Sequence, residues 1–327
     1  MEFLYKNVAL SFLIWYNNTI EDFIERNYDM GLLPIEADIL PPSDDYIFKA
    51  ILTHPDAKPV LIDLVAAVIG RNSSDIADVQ ILNNELPAMD VDEKNERLDV
   101  NCIISDGTQI NLEMHCSRME EPGKTGNENF IGKYIYYLTD LHSSQQSKGI
   151  KYYELARTYQ VTFSMYTVFP HRKDYITRSS MRTEDGEQIS ELINMVVVEL
   201  NKMEDMFIVP VGEMSSLDMW SAFLGYADKP QQRGIINEMI SKKEALGMAS
   251  TILMSISKDD HERAKFRSRR KFETDMISNV LTAWDNGERA KAFEIAKKLL
   301  ARNRPIEEII EDTGLTREEI EGLWDAQ

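Results

Sequence analysis

Residues 97–117, RLDVNCIISDGTQINLEMHCS, carry a hydrophobic period of two. Leu98, Val100, Cys102 and Ile104 fall at every second position, and so do Ile110, Leu112, Met114 and Cys116. Alternation of this kind puts successive side chains on opposite faces of an extended backbone. The segment must therefore form two strands around Asp106-Gly107, each with one face in a core. Asp99 lies on the opposite face of the first strand, and Glu113 and His115 lie on that of the second.

Parity constrains the turn. Residues directly opposite in an antiparallel pair point the same way. A two-residue turn at Asp106-Gly107 pairs Ser105 with Thr108 and hence Asp99 with Met114, against the apolar pattern. An odd loop, of three residues or with a bulge beside Gly107, sets Asp99 opposite Glu113 or His115 instead, and the sequence predicts that odd loop. At the level of spacing the polar face has two readings, a solvated hairpin surface or a metal site. Two carboxylates a few ångströms apart repel unless a cation lies between them. Oxygen ligands of this kind suit Mg²⁺, which keeps several waters and activates one of them.

Composition narrows the partners. The chain has 327 residues and a formal net charge of −19, which disfavours broad, non-specific coating of nucleic acid but leaves room for a local basic groove. Its two cysteines, Cys102 and Cys116, form no disulfide framework and fit a reducing compartment. His142, His171 and His261 show no zinc-ligand spacing with His115. The 16 methionines read as core filler, and the scattered tryptophans form no stacking platform. The early apolar run VALSFLIWY is too short to span a membrane and, with Lys6 the only base before it, reads as a buried helix. A cytoplasmic protein is expected.

Around the hairpin, helical and extended periods alternate. An N-terminal helical extension is expected over residues 1–30 and an α/β core, with a mixed sheet flanked by helices, over 31–214. A helical C-terminal region is expected over 215–327. Ser43 is the expected N-cap of a helix beginning DDYIFKAIL, and Gly70 stops a second helix, AKPVLIDLVAAVIG. Strands are expected at DVQILNNEL, YQVTFSMYTVFP and one or both of VVVELNK and MFIVPV.

An acid-bearing strand, a turn and a strand with Glu-x-Gln or Glu-x-Lys form the core motif of the PD-(D/E)XK nuclease superfamily, and this chain resembles it. More closely, it resembles the bacterial recombination-promoting nucleases, also described as PD-(D/E)XK family transposases. DDYIFKAIL resembles the family's early Asp-x-x-Phe-Lys motif, carried by Asp45, Phe48 and Lys49. RLDVNCIISDGTQINLEMH resembles its two motif strands, YIYYLTDLHSSQQSKGIKYYEL its Gln…Gly…Tyr signature at Gln145, Gly149 and Tyr152, and AKKLLARNRPIEEIIEDTGLTREEIEGL its helical tail. The resemblance implies a restriction-endonuclease-like fold, a Mg²⁺ cofactor (or Mn²⁺) held by Asp99 and Glu113, and DNA as the substrate. Asp45 is then a third acid, Lys49 a phosphate contact, and Gln145 and Tyr152 shape the site or touch nucleic acid. The superfamily's Lys, or this family's Gln, falls on His115, where the chain departs from the pattern. A neutral imidazole can accept a proton, donate a hydrogen bond or bind metal, and it charges only near a pKa of about 6.5.

RAKFRSRRK, residues 263–271, has six bases and no acid, and Arg267 and Arg270 are its candidate phosphate contacts. The alternative reading is a solvated linking helix. The tail PIEEIIEDTGLTREEIEGL reads as helix, turn, helix with a capping box at Thr316 and Glu319. Its second helix sets Arg317 against Glu318, Glu319, Glu321 and Asp325, which phosphates would repel. It is read as a packing or homo-oligomer element. The expected function is a Mg²⁺-dependent DNA endonuclease linked to recombination, mobile elements or defence, with a regulatory protein partner as an added expectation. The alternative is a catalytically impaired relative that acts by binding DNA or a protein. A third reading is an interaction protein whose α/β core is only scaffold.

Overall fold

The computed structural model describes residues 31–82, 100–116, 126–145 and 151–323. The expected N-terminal helical extension, Asp99 and Gly149 lie outside the described residues. The chain divides into two compact units, one ending at Phe266 and one beginning at Arg267.

The first unit opens with α1 (Asp45–Leu52). Its N-cap is Asp44 rather than Ser43: Oδ1 of Asp44 accepts from the N–H groups of Tyr46 (3.1 Å) and Ile47 (3.2 Å). The physical reason is a turn in which Asp44 N–H donates to the Pro41 carbonyl at 3.1 Å, delaying the helix by one residue. Lys58 to Ile69 form α2, which Gly70 ends in the left-handed conformation, φ +74°, as expected.

Among the described residues there follow β1 (Val79–Ile81), β2 (Val100–Ile104), β3 (Gln109–His115), then α3 (Gly126–Ser143), β4 (Thr158–Ser164), β5 (Ile176–Arg182) and β6 (Gln188–Glu199). The strands form one mixed sheet in the order β1-β2-β3-β4-β6-β5. β3 and β4 run parallel, so the chain must cross over between them, and α3 is that crossover. β4 also runs parallel to β6, and the other pairs are antiparallel.

The sheet was less legible in its second half. β5 and the first half of β6 lie mostly in solvent, so no apolar alternation marks them. MFIVPV enters a 3₁₀ turn (Glu204–Ile208) instead of a strand.

One face of the sheet, with Val100, Cys102, Ile110, Leu112, Val161 and Phe163, packs into a large core. That core also takes in α1, α2, α4 (Ser216–Tyr226), α5 (Arg233–Lys242) and α6 (Glu244–Lys258). Trp220, Phe223 and Leu253 are buried there, so the expected boundary at residue 214 falls inside this unit. The opposite face is covered by α3 through Phe130, Tyr134 and Leu138, packed against Met195 and Val197.

Beyond α6 run α7 (Asp260–Leu300), α8 (Ile306–Thr313) and α9 (Arg317–Gly322). In the second unit the end of α7 packs on α8 and α9 through Ala296, Leu300, Ile309 and Ile320. The expected Thr316–Glu319 capping box is present.

The hairpin has the odd loop. Val100 pairs with Leu112 and Cys102 with Ile110, leaving a three-residue loop at 105–107. Ile104 N–H donates to the Thr108 carbonyl at 3.0 Å and Gly107 N–H to the Ile104 carbonyl at 2.8 Å. The Asp106 carboxylate takes the Thr108 N–H at 2.9 Å and the Arg71 guanidinium at 2.6 Å. Gly107 has φ +86°, a conformation that costs other residues about 1–2 kcal/mol. An added Cβ there meets only Ala156 Cβ at 3.5 Å. Gly107→Ala should therefore lower unfolding free energy by about 1–2 kcal/mol through backbone strain alone, read from urea denaturation.

Candidate active site

Glu113 sits near the C-terminal end of β3 on the face that α3 covers. Lys133, from the first half of α3, places Nζ 2.7 Å from Glu113 Oε1, and the Tyr134 hydroxyl donates to the same oxygen at 3.2 Å. The Lys133 ammonium also lies 5.0 Å from the ring centre of Tyr134 and 5.3 Å from that of Tyr137. The Glu113 side chain is 14 % exposed and that of Lys133 is 42 % exposed, so the pair stands at the edge of the buried layer with its cation toward water. Burial, followed by the charge and hydrogen bond of Glu113, drives the Tyr134 hydroxyl well above its usual range. Tyr134 is therefore a fixed donor.

His115, two residues on, is boxed edge-on by Phe130 (5.1 Å between ring centres), Tyr166 (6.2 Å) and Tyr134 (6.5 Å). Burial in this aromatic surround and then the charge of Lys133 push its pKa down to about 4. The imidazole is neutral at physiological pH, so the fixed charge beside Glu113 comes from a helix and not from β3.

Tyr166 reaches the box because its loop is pinned from behind. Its hydroxyl donates to the Cys116 carbonyl at 2.9 Å. Fully buried Glu199 accepts from the N–H groups of Val168 (2.7 Å) and Phe169 (3.1 Å), and Lys202 Nζ meets its other oxygen at 2.8 Å. A buried carboxylate is tolerable only with such partners.

Asp45 arrives from α1. Its carboxylate, that of Asp44 and the thiol of Cys116, the residue after His115, have ligand atoms within 4.8 Å of one another. Asp44 is buried, and Asp45 and Cys116 are half-buried. The two carboxylates are hard oxygen donors of the kind that suit Mg²⁺ or Mn²⁺, and the Cys116 thiol beside them is a soft one. Glu113 stands outside this cluster, on the face of β3 that meets Lys133 and Tyr134.

The remaining expected residues lie elsewhere. Gln145 uses its whole amide on the chain itself: Oε1 accepts from Ala156 N–H at 2.8 Å, and Nε2 donates to the Ala156 carbonyl (3.1 Å) and Thr158 Oγ1 (2.8 Å). Thr158 pairs with Gln109, four residues before the Glu113–Thr162 pair and so about 13 Å along the strands. Gln145 thus fastens α3 to the start of β4. Tyr152 is exposed in a 3₁₀ turn just before that same end. Lys49 is buried at 2 % exposure, inside the first unit rather than on its surface. Arg267 and Arg270 are exposed on α7, in the second unit.

Lys133, Tyr134 and Tyr166 escaped sequence reasoning. In NFIGKYIYYL the aromatic density marks a packed helix, but spacing alone does not say which turn meets Glu113.

The depressed His115 pKa has a measurable consequence. A histidine with a folded pKa of about 4 and an unfolded value of about 6.5 binds fewer protons folded than unfolded. Stability then rises with pH across that window. Between about pH 5 and about pH 7 the metal-free protein should gain about 2 kcal/mol from this residue. The wild type minus His115→Gln difference in urea denaturation at the two pH values reads it.

A family model described as PD-(D/E)XK nuclease family transposase matches residues 42–283. No curated protein and no solved structure matches the chain. The matched span takes in α1, the hairpin, α3 with its Lys133–Glu113 pair, the rest of the sheet and the basic start of α7. Since it covers well over half of the 327 residues, the chain belongs to the PD-(D/E)XK nuclease family transposases.

Proposed function

We propose that the protein is a divalent-metal-dependent DNA endonuclease linked to mobile elements or recombination, acting in the cytoplasm. Family membership supports the nuclease class and DNA as its substrate. One observation carries the site: Val100 pairs with Leu112, and Asp99 directly precedes the one while Glu113 directly follows the other. In this reading Asp99 and Glu113 hold Mg²⁺ or Mn²⁺, with Asp45 as the third acid. A bound ion would lower the pKa of a coordinated water, so that the hydroxide it yields can attack a phosphodiester, and would offset the charge of the phosphate.

The chain's own residues do the rest. Lys133 supplies the fixed positive charge that the superfamily places two residues after the strand acid. Tyr134 holds Glu113 in orientation, and neutral His115 packs and orients but carries no charge. Arg267 and Arg270 are the phosphate contacts of the second unit. We assign the C-terminal helices to self-association rather than base reading. Arg317 is engaged by Glu307 at 2.5 Å and lies 3.8 Å from Glu321, so the last helix offers DNA an acidic surface.

A catalytically impaired, DNA-binding relative is the second reading, and the buried neutral His115 favours it. Plasmid nicking with Mg²⁺ or Mn²⁺ separates the two. The wild type should nick, Asp99→Ala and Glu113→Ala should abolish nicking, and Lys133→Met should slow it on the order of 10²-fold, with partial recovery in Lys133→Arg. Nicking unchanged in both acid variants would remove the site assignment. Absence of nicking together with absence of metal binding by calorimetry would establish the second reading.

A further inference from the structure

The part of α7 that lies in the second unit holds a row of large apolar side chains in water. Phe272, Met276, Val280 and Trp284 recur at every fourth residue, with Leu281 beside them, and each is between 40 % and 49 % exposed. At about 100° per residue these positions, with Ile277, occupy one side of the helix, which also carries Glu273 at the first turn of the row. Asp275, Ser278, Asn279, Thr282 and Asp285 occupy the other. Isolated exposed hydrophobes are ordinary, but a contiguous helical row of them marks a contact surface.

Charge along the same helix selects the occupant. Residues 267–271 carry four bases and no acid, whereas residues 272–288 carry four acids and no base. Two copies laid parallel would bring the basic ends together. Laid antiparallel about residue 278, each basic end lies beside Asp285 and Glu288 of the other copy, with Arg289 beyond them, and the helix dipoles oppose.

We propose that the 272–284 face docks on the same face of a second copy of this chain, antiparallel, about a two-fold axis near Ile277 and Val280. The inference rests on the self-association assigned above to the C-terminal helices. A short crossing buries an area at the low end for specific interfaces, and the dimer is concentration-dependent. Arg267 falls on the side of α7 away from the row, whereas Arg270 falls toward it, beside Leu281 in angular position.

The full chain is tested by sedimentation velocity over a micromolar concentration series. The wild type should pass from one chain mass to two. Val280→Glu combined with Leu281→Glu should stay at one chain mass, with unchanged helical circular dichroism because both sites are exposed. Under oxidation, Phe272→Cys alone should form no linked dimer above the wild-type background, whereas a mixture of Phe272→Cys and Trp284→Cys chains should. A wild type that stays monomeric at every concentration overturns both this face and the self-association it rests on. A dimer that survives the glutamate variant keeps self-association but overturns this face. Linking by Phe272→Cys alone overturns the antiparallel arrangement.

Discussion

The three-residue loop at 105–107 decides which side chains of β3 look toward α3. Side chains alternate strictly along a strand, so a loop one residue shorter or longer would turn Glu113 and His115 into the main core and Leu112 and Met114 out of it. Gly107 makes the odd count affordable by accepting a positive φ, and Asp106 closes the turn against Thr108 and Arg71. Everything at the candidate site depends on this parity. It sets Glu113 under Lys133, His115 among three aromatic rings, and Ile110 and Leu112 in the core that holds α1 in place.

The layer between β3 and α3 separates charge from its neighbours in an orderly way. Lys133 and Tyr134 take the place of water around Oε1 of Glu113. His115, two residues along the same face, has rings for neighbours and stays neutral. A cation at position 115 would sit deeper in this layer and lose hydration. A cation on a long side chain from α3 reaches the same carboxylate while the side chain as a whole remains 42 % exposed. The departure from the family pattern at His115 is thus matched by a lysine that approaches from the other side of the layer. Glu199 and Lys202 contribute at one remove, since the loop they pin carries Tyr166.

What could be read from the sequence was whatever a short-range pattern fixes. The hairpin, its odd loop, the Gly70 stop and the Thr316 capping box all follow from alternation, parity or local turn chemistry, and the structure has them. The helix start was misplaced by one residue because two adjacent polar residues both suit an N-cap and only the Pro41 turn chooses between them. β5 and early β6 escaped because strands exposed on both faces carry no alternation. Lys133 escaped for a different reason: its role arises from the docking of α3 on β3, a tertiary contact with no local signal. Gln145 shows the converse. A residue singled out by family resemblance spends its amide on Ala156 and Thr158 and so fastens a crossover helix to a strand.

Charge distribution ties the two units to one task. A chain of net charge −19 repels a DNA duplex at long range, so any productive approach must be local. Positive charge is concentrated where the proposed nuclease would need it, at half-exposed Lys133 beside Glu113 and along residues 267–271 of α7. A divalent ion at the proposed site would add positive charge there as well as activate water. Pairing two copies through α7 would double the number of basic segments without adding a basic face to either unit. In such an arrangement affinity for DNA comes from two weak footholds acting together, and the acidic remainder limits residence on sequences that engage only one of them.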